Sequence, residues 1–295
     1  MPTVGASIAV SKRTLHAVGS LVATLGICFV GVKLWDQFQT QGMKHLEPWM
    51  ILILVLLSIA YMASCAIHPL AWRQILRQLG FEATKRWSIK TYGRTQLAKY
   101  LPGNVFHIAG RQVMGMAAGI PSAIVAKSIG VEMTMLLITG GTFGVMLIDI
   151  LLPEHLRIIG MISWLMATAL SYATCRKLIG EPAGKAFALQ IAFHLFSCST
   201  FSIVYLMNGG SQSDLYLVAP AYVIAWLVGT LTPGAPAGVG IRELVLIFIL
   251  GAKMEQSLLI STVAMGRLVT VSADVMLFFV ASVIPGDKPK SLVET

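Results

Sequence analysis

Long runs of apolar residues without charge constrain this chain more than any other feature. Seven windows, at about 14–32, 49–71, 122–148, 158–175, 186–207, 216–232 and 257–284, are each close to or above the length that a helix needs to cross a bilayer. A bilayer core asks for roughly 20 apolar residues per helical crossing. The runs lack the alternation of apolar and polar residues that a membrane barrel strand requires, so helices are expected. Only 12% of the 295 residues are charged, against roughly 25% in soluble domains. Connections between the windows are too short for a separate globular unit. The expected fold is all-α: one integral membrane domain over residues 1–295, a bundle of about seven spans.

The net charge of +9 raises the question of nucleic acid, and its placement answers it. Arg73, Arg77, Lys85, Arg86, Lys90, Arg94 and Lys99 face a single acid, Glu82, and a second loop holds Arg176, Lys177 and Lys185 against Glu181. The loop at 208–215 carries Asp214 and no basic residue. Lys and Arg collect on the cytoplasmic side of membrane proteins, so the positive charge reads as topology with contacts to anionic headgroups, and no nucleic acid is expected. This gives a multi-pass protein of the cytoplasmic (inner) membrane with a cytoplasmic N-terminus. Lys12 and Arg13 precede the first apolar run, and no small-residue cleavage site follows before Lys33, so that run is expected to be retained. Cys28, Cys65, Cys175 and Cys198 sit in the apolar windows without metal-type spacing and read as inert small hydrophobes. No metal or other cofactor is expected.

Two segments interrupt the pattern and resemble each other. Pro102-Gly103 and Pro233-Gly234 are each followed by seven residues and then an arginine, Arg111 or Arg242, with Gly110 or Gly240 shortly before it. Pro and Gly stop a helix and permit sharp turns. The apolar stretch after Glu243, Leu244–Gly251, is too short to cross a bilayer. Irregular backbone survives at membrane depth only when buried in protein or lining a wet cavity, and paired interrupted segments point to a transporter's substrate site. Re-entrant segments are therefore expected at about 95–118 and 233–252, and an internal repeat is suggested. Four spans between the motifs favour like orientation, and one misplaced segment would reverse that.

Ionisable residues inside apolar spans are expensive, so each is a site candidate. Glu132 lies in the third window, and Arg267 and Asp274 share one helical face at i and i+7. One reading converges Arg111, Arg242 and Arg267 on an anion, with Glu132, Glu243 and Asp274 orienting them and Pro102, Gly103, Pro233, Gly234, Gly238 and Gly240 shaping the backbone around it. Arginine suits phosphate because its planar fork donates bidentate hydrogen bonds and stays ionised. The other reading makes the same residues buried ion pairs that lock helices. His194 reads as a hydrogen-bonded packing residue, and His68 and His107 receive no role. The Gly140-x-x-x-Gly144 spacing reads as close helix packing within the chain. No set of residues reads as catalytic.

The strings KYLPGNVFHIAGRQ and SIGVEM, and then TPGAPAGVGIRELVL, resemble the transmembrane region of the lysylphosphatidylglycerol synthase family. The likeness runs from about Leu56 to Ile284. Its more specific part is Pro233, Gly234, Gly238, Gly240, Arg242 and Glu243, with Pro236 where relatives usually carry a small residue. The resemblance implies a flippase fold that moves an anionic lipid or lipid-linked headgroup between leaflets. A stand-alone member lacking the aminoacyl-transferase domain is expected, since about ten residues follow the last span. The first motif resembles relatives tied to envelope polysaccharide assembly, so the implied substrate is either phosphatidylglycerol-type or a polyprenyl-phosphate-linked sugar. No phosphate-binding G-x-x-x-x-G-K-S/T motif is present, so an expected energy source is a gradient or mass action. Two further readings stay open: an intramembrane transferase using a lipid-phosphate donor with Glu132, Glu243 or Asp274 as base, and a non-catalytic scaffold of envelope assembly. The oligomeric state is not legible.

Overall fold

Helices account for nearly all of the computed structural model, which describes residues 47–101, 103–153, 156, 158–285, 287 and 289–292. The first described helix, α1 (Pro48–Cys65), continues into α2 (Ile67–Gln78) as one rod of 31 residues. The break between them at Ala66 has a local cause. Pro69 has no N–H to bond the carbonyl of Cys65, so the helical ladder loses a rung there. α3 (Lys85–Gln96) and α4 (Phe106–Ala117) follow, then α5 (Ser122–Met146), α6 (Ile158–Leu178), α7 (Glu181–Met207), α8 (Leu215–Leu231), α9 (Ile241–Leu250) and α10 (Gln256–Val283).

Six of these stretches are long and apolar enough to cross a membrane: 48–78, 122–150, 158–178, 181–207, 212–231 and 256–283. They coincide with six of the seven windows read from the sequence. The window at 14–32, with Cys28 in it, lies outside the described residues. Burial ranks the helices by position. In α7 61% of the apolar window is enclosed by protein, and in α6 only 11%, so α7 runs through the centre while α6 lies on the rim. Around α7 the core includes Phe201, Tyr205, Leu217, Leu246 and Leu250, and the rings of Phe201 and Tyr222 stack at 4.2 Å. Gly140 and Gly144 face Leu227 and Ile224 of α8, which accounts for their spacing as packing within the chain.

The two Pro-Gly segments form helical hairpins. In the first, α3 runs through a 3-10 turn (Leu97–Tyr100) to the tip, and α4 runs back alongside it. Thr95 lies against Gly110 and the Tyr92 ring faces Arg111. In the second, α8 runs to its tip and α9 returns, with Arg242 against Gly229 and Leu250 in the same core cluster as Leu217. At 1.5 Å per residue α4 is about 18 Å long and α9 about 15 Å, well short of a bilayer core of about 30 Å.

The hairpins enter the bundle from opposite ends. At one end the base of α3 lies beside Ile179, where Gln78 Nε2 donates to the Ile179 carbonyl at 2.7 Å. A two-residue strand there, β1 (Phe81–Glu82), pairs antiparallel with β2 (Lys290–Ser291), so the end of α10 belongs to the same side. At the other end, Lys253, just past α9, donates to the carbonyl of Ile150 at 3.2 Å, and Asn208 reaches Thr262 at 3.2 Å. The like orientation favoured by counting spans is therefore not what the hairpins adopt. The window at 216–232, counted as a crossing in that reading, is the entering arm of the second hairpin, and α9 turns back along it.

Candidate functional site

The two tips touch. Gly234 N–H donates to the carbonyl of Gly103 at 3.3 Å, and Asn104 Nδ2 donates to the carbonyls of Thr230 and Thr232 at 3.0 and 3.4 Å. Asn104 thus satisfies carbonyls left open where α8 ends. Both tips hold left-handed backbone: Gly103 and Asn104 have φ of 111° and 55°, and Gly234, Ala237, Gly238 and Gly240 have φ of 87°, 47°, 72° and 82°. Gly238 is required twice over. Beyond its φ, a Cβ there would lie 2.8 Å from the Gly229 Cα. Pro102 lies outside the described residues, while Pro233 sits in the turn that follows α8.

α9 begins at this junction. Its N-cap, Gly240, offers no side chain to the first-turn N–H groups, so the positive end of the helix dipole faces the tip region. Arg267, from the middle of α10, reaches across: Nε and Nη2 donate to the two Glu243 oxygens at 2.9 and 3.2 Å, and Nη2 also donates to the Gly238 carbonyl at 3.0 Å. Arg242 is different. It is half-buried, its Nε is shielded from solvent, and among the described residues it has no hydrogen-bond or ion-pair partner. Its stem rests in the space that a side chain at Gly229 would take, since a Cβ there would lie 2.8 Å from Arg242 Cγ. Arg242 has the Arg267 guanidinium for a neighbour. Both line a small cavity with Phe201, Tyr222 and Thr270 that has room for no more than about one water molecule.

Arg111 belongs elsewhere. Its Nη1 is ion-paired with Glu132 of α5, and the two side chains are 1% and 0% exposed. Tyr92 Oη donates to the other Glu132 oxygen at 3.3 Å. The guanidinium lies over the rings of Tyr92 and Trp72, at 4.6 and 5.6 Å from their centroids. The Glu132 carboxylate neutralises the charge and the ring faces stabilise it, while Nε and Nη2 have no hydrogen-bond acceptor among the described residues. Among the described residues no hydrogen bond or ion pair links this cluster to Arg242 or Arg267. The three arginines expected to converge are thus a pair and a single.

Asp274 contacts the first hairpin and no arginine. Lys99 Nζ lies 2.7 Å from it, Gln96 Nε2 donates to it at 3.1 Å, and the Tyr100 hydroxyl donates to its second oxygen. The i and i+7 spacing of Arg267 and Asp274 therefore does have a meaning: one face of α10 grips the second hairpin through Arg267 and the first through Asp274. Lys99 and Tyr100 are the residues that sequence reasoning missed. Lys99 stood in a run of basic residues that read as topology, and only its step from the first Pro-Gly motif hinted otherwise. His194 Nε2 lies 3.1 Å from the Thr139 hydroxyl among the rings of Phe143, Phe193 and Trp226, a packing role. Cys65, Cys175 and Cys198 are buried and free, and among the described residues no group of His, Cys, Asp and Glu is placed to hold a metal ion.

Comparison with protein-family models, with curated proteins and with solved structures finds no match.

Proposed function

We propose that this chain is a multi-pass protein of the cytoplasmic membrane in which the two hairpins are re-entrant, and that it carries an anionic lipid headgroup between leaflets at their junction. The observation that carries this reading is the meeting of two hairpins, each with a short returning helix, from opposite ends of the bundle beside an arginine with no partner among the described residues. Backbone that turns sharply at membrane depth needs protein or a wet cavity around it, and both tips have it. Interrupted helices that face each other at mid-depth are the arrangement in which transporters hold substrate. An arginine in an apolar span is a functional candidate by default, the more so when nothing among the described residues neutralises it.

The headgroup phosphate would lie against Arg242 and the first-turn N–H groups of α9, with Glu243 keeping Arg267 in place through its bidentate pair. Neutralising the phosphate lowers the cost of moving it through a medium of low polarity. Acyl or prenyl tails stay in the bilayer. With room for one water, the cavity is in a closed state, and admission of a headgroup requires the tips to part. Among the described residues the tips are joined by one backbone hydrogen bond, the Asn104 amide and the burial of Ala237 with Leu97 and Tyr100, so parting them breaks those bonds and uncovers that apolar cluster.

Orientation follows from charge. Arg77, Lys85, Arg86, Arg176, Lys177 and Lys185 lie at the end that holds the base of the first hairpin, and Glu47, Asp149, Asp214 and Glu255 at the other. The basic end is the cytoplasmic one. The first hairpin would then enter from the cytoplasm and the second from outside. The likeness of the two Pro-Gly motifs to the lysylphosphatidylglycerol synthase membrane region favours a phosphatidylglycerol-type lipid or a polyprenyl-phosphate-linked sugar as cargo.

The test is translocation of headgroup-labelled phosphatidylglycerol, and separately of a polyprenyl-phosphate sugar, by the purified chain in liposomes. Arg242→Met should abolish movement while the protein stays folded. Translocation at the unaltered rate in that variant would sink the reading.

A further inference from the structure

A second site lies on the rim of the bundle, away from the hairpin tips. Between α5, α6 and the start of α7 runs an open groove of about 760 Å³, in the size range of pockets that enclose small-molecule ligands. Its walls include Gly130, Thr134 and Ile138 on one side and Leu170 and Thr174 on the other, over a floor that includes Phe187. Lys127 stands at its end beside Leu178 and Ile179, at the same end of the bundle as the base of the first hairpin. Among the described residues Lys127 has no ion pair or hydrogen bond. Gly130 deepens the groove, since a Cβ there would meet nothing within 4 Å.

From these features we infer that the groove is a binding site for one anionic phospholipid, with a tail along α5 and α6 and its phosphate at Lys127. Three observations select this occupant. Lys127 to Ile138 spans eleven residues, about 16 Å of helix, and half of a bilayer core of about 30 Å is one leaflet. The groove is apolar along its length and carries its free cation at one end only, matching a tail with an anionic head. α6 has only 11% of its apolar window covered by protein, so a lipid seated there completes the packing between α6 and the bundle. The site rests on the membrane placement proposed above but not on transport, because none of its walls belongs to either hairpin.

Photo-crosslinking decides it. The full chain is placed in lipid nanodiscs containing diazirine-tailed phosphatidylglycerol or the matching phosphatidylcholine, and labelled peptides are mapped. Phosphatidylglycerol should label 127–138 and 170–179 about fivefold more strongly than phosphatidylcholine, the factor that one lysine near the membrane surface supplies. Lys127→Gln should erase the preference, and Gly130→Leu should block labelling in the groove without lowering the thermal unfolding midpoint. Arg242→Met should change neither, so loss of transport and loss of this site are separable. Equal labelling by the two lipids, or groove labelling no stronger than at the outward-facing Leu56 and Phe279, would overturn the inference.

Discussion

Arg111 and Arg242 occupy the same place in two copies of one spacing, yet their surroundings differ in kind. Each follows a Pro-Gly pair by seven residues and lies on the returning helix of a hairpin. Arg111 is enclosed by Glu132, Tyr92 and Trp72. Arg242 has a second guanidinium for a neighbour, and Glu243, next to it in the chain, is engaged by Arg267. A charge that is neutralised locally holds helices together, and one that is not is available to a ligand. The repeat therefore places a neutralised charge, a lock, in the first hairpin, and in the second a charge that the proposed function makes a receptor.

The largest effect should come from opening the lock. Glu132→Ala leaves the Arg111 charge buried without a counter-ion, and breaking such a pair costs about 3–5 kcal/mol. Thermal unfolding in detergent should show a marked loss, and Glu132→Met combined with Arg111→Met should restore most of it. If the single change is mild, Arg111 is not the lock described here.

Next in size is Gly238→Ala at the second tip. It forces a non-glycine residue to φ 72° against the Gly229 backbone, at about 1–3 kcal/mol for the strain, with the clash added. Gly229→Ala should be comparably harmful because it displaces Arg242. An innocuous Gly238→Ala would mean that the tip relaxes freely, and the comparison would lose its rigid half. Smaller still is Asn104→Ala, which removes the amide link between the tips at about 1 kcal/mol and should raise amide exchange around Thr230–Thr232.

Smallest for stability, and sharpest for the comparison, is Arg242→Met. It removes a charge with no partner among the described residues, so the unfolding midpoint should stay level or rise slightly, while translocation is lost. Arg111→Met should do the reverse, lowering stability first. A pair of variants that behaved alike would erase the distinction between lock and receptor.

Much of the fold was legible in the sequence because the bilayer leaves few alternatives. Six described helices lie within a few residues of their apolar windows. The Pro-Gly interruptions also located the hairpins, since Pro102 and Pro233 cannot continue a helix through themselves and a stretch such as Leu244–Gly251 is too short to span. Their relative direction was not legible. It depended on whether α8, at 17 residues close to the length of a crossing, is a span or the entering arm of a hairpin, and that shows only in the packing of α9 back against it. Arg242, Glu243 and Arg267 were marked as candidates by the price of charge in apolar surroundings, as were Arg111 and Glu132.

The partners were decided elsewhere. Asp274 shares a helical face with Arg267, a matter of period alone, but its pairing with Lys99 and Tyr100 brings together residues some 174 positions apart. The same holds for Glu132, reached by Arg111 across the α4–α5 turn, and for the bond between Gly103 and Gly234. Sequence by itself determined which segments are apolar, where the helices stop and which charges need company, because those are local costs. Tertiary structure alone decided which charges found it, since neutralisation is a property of a place in three dimensions.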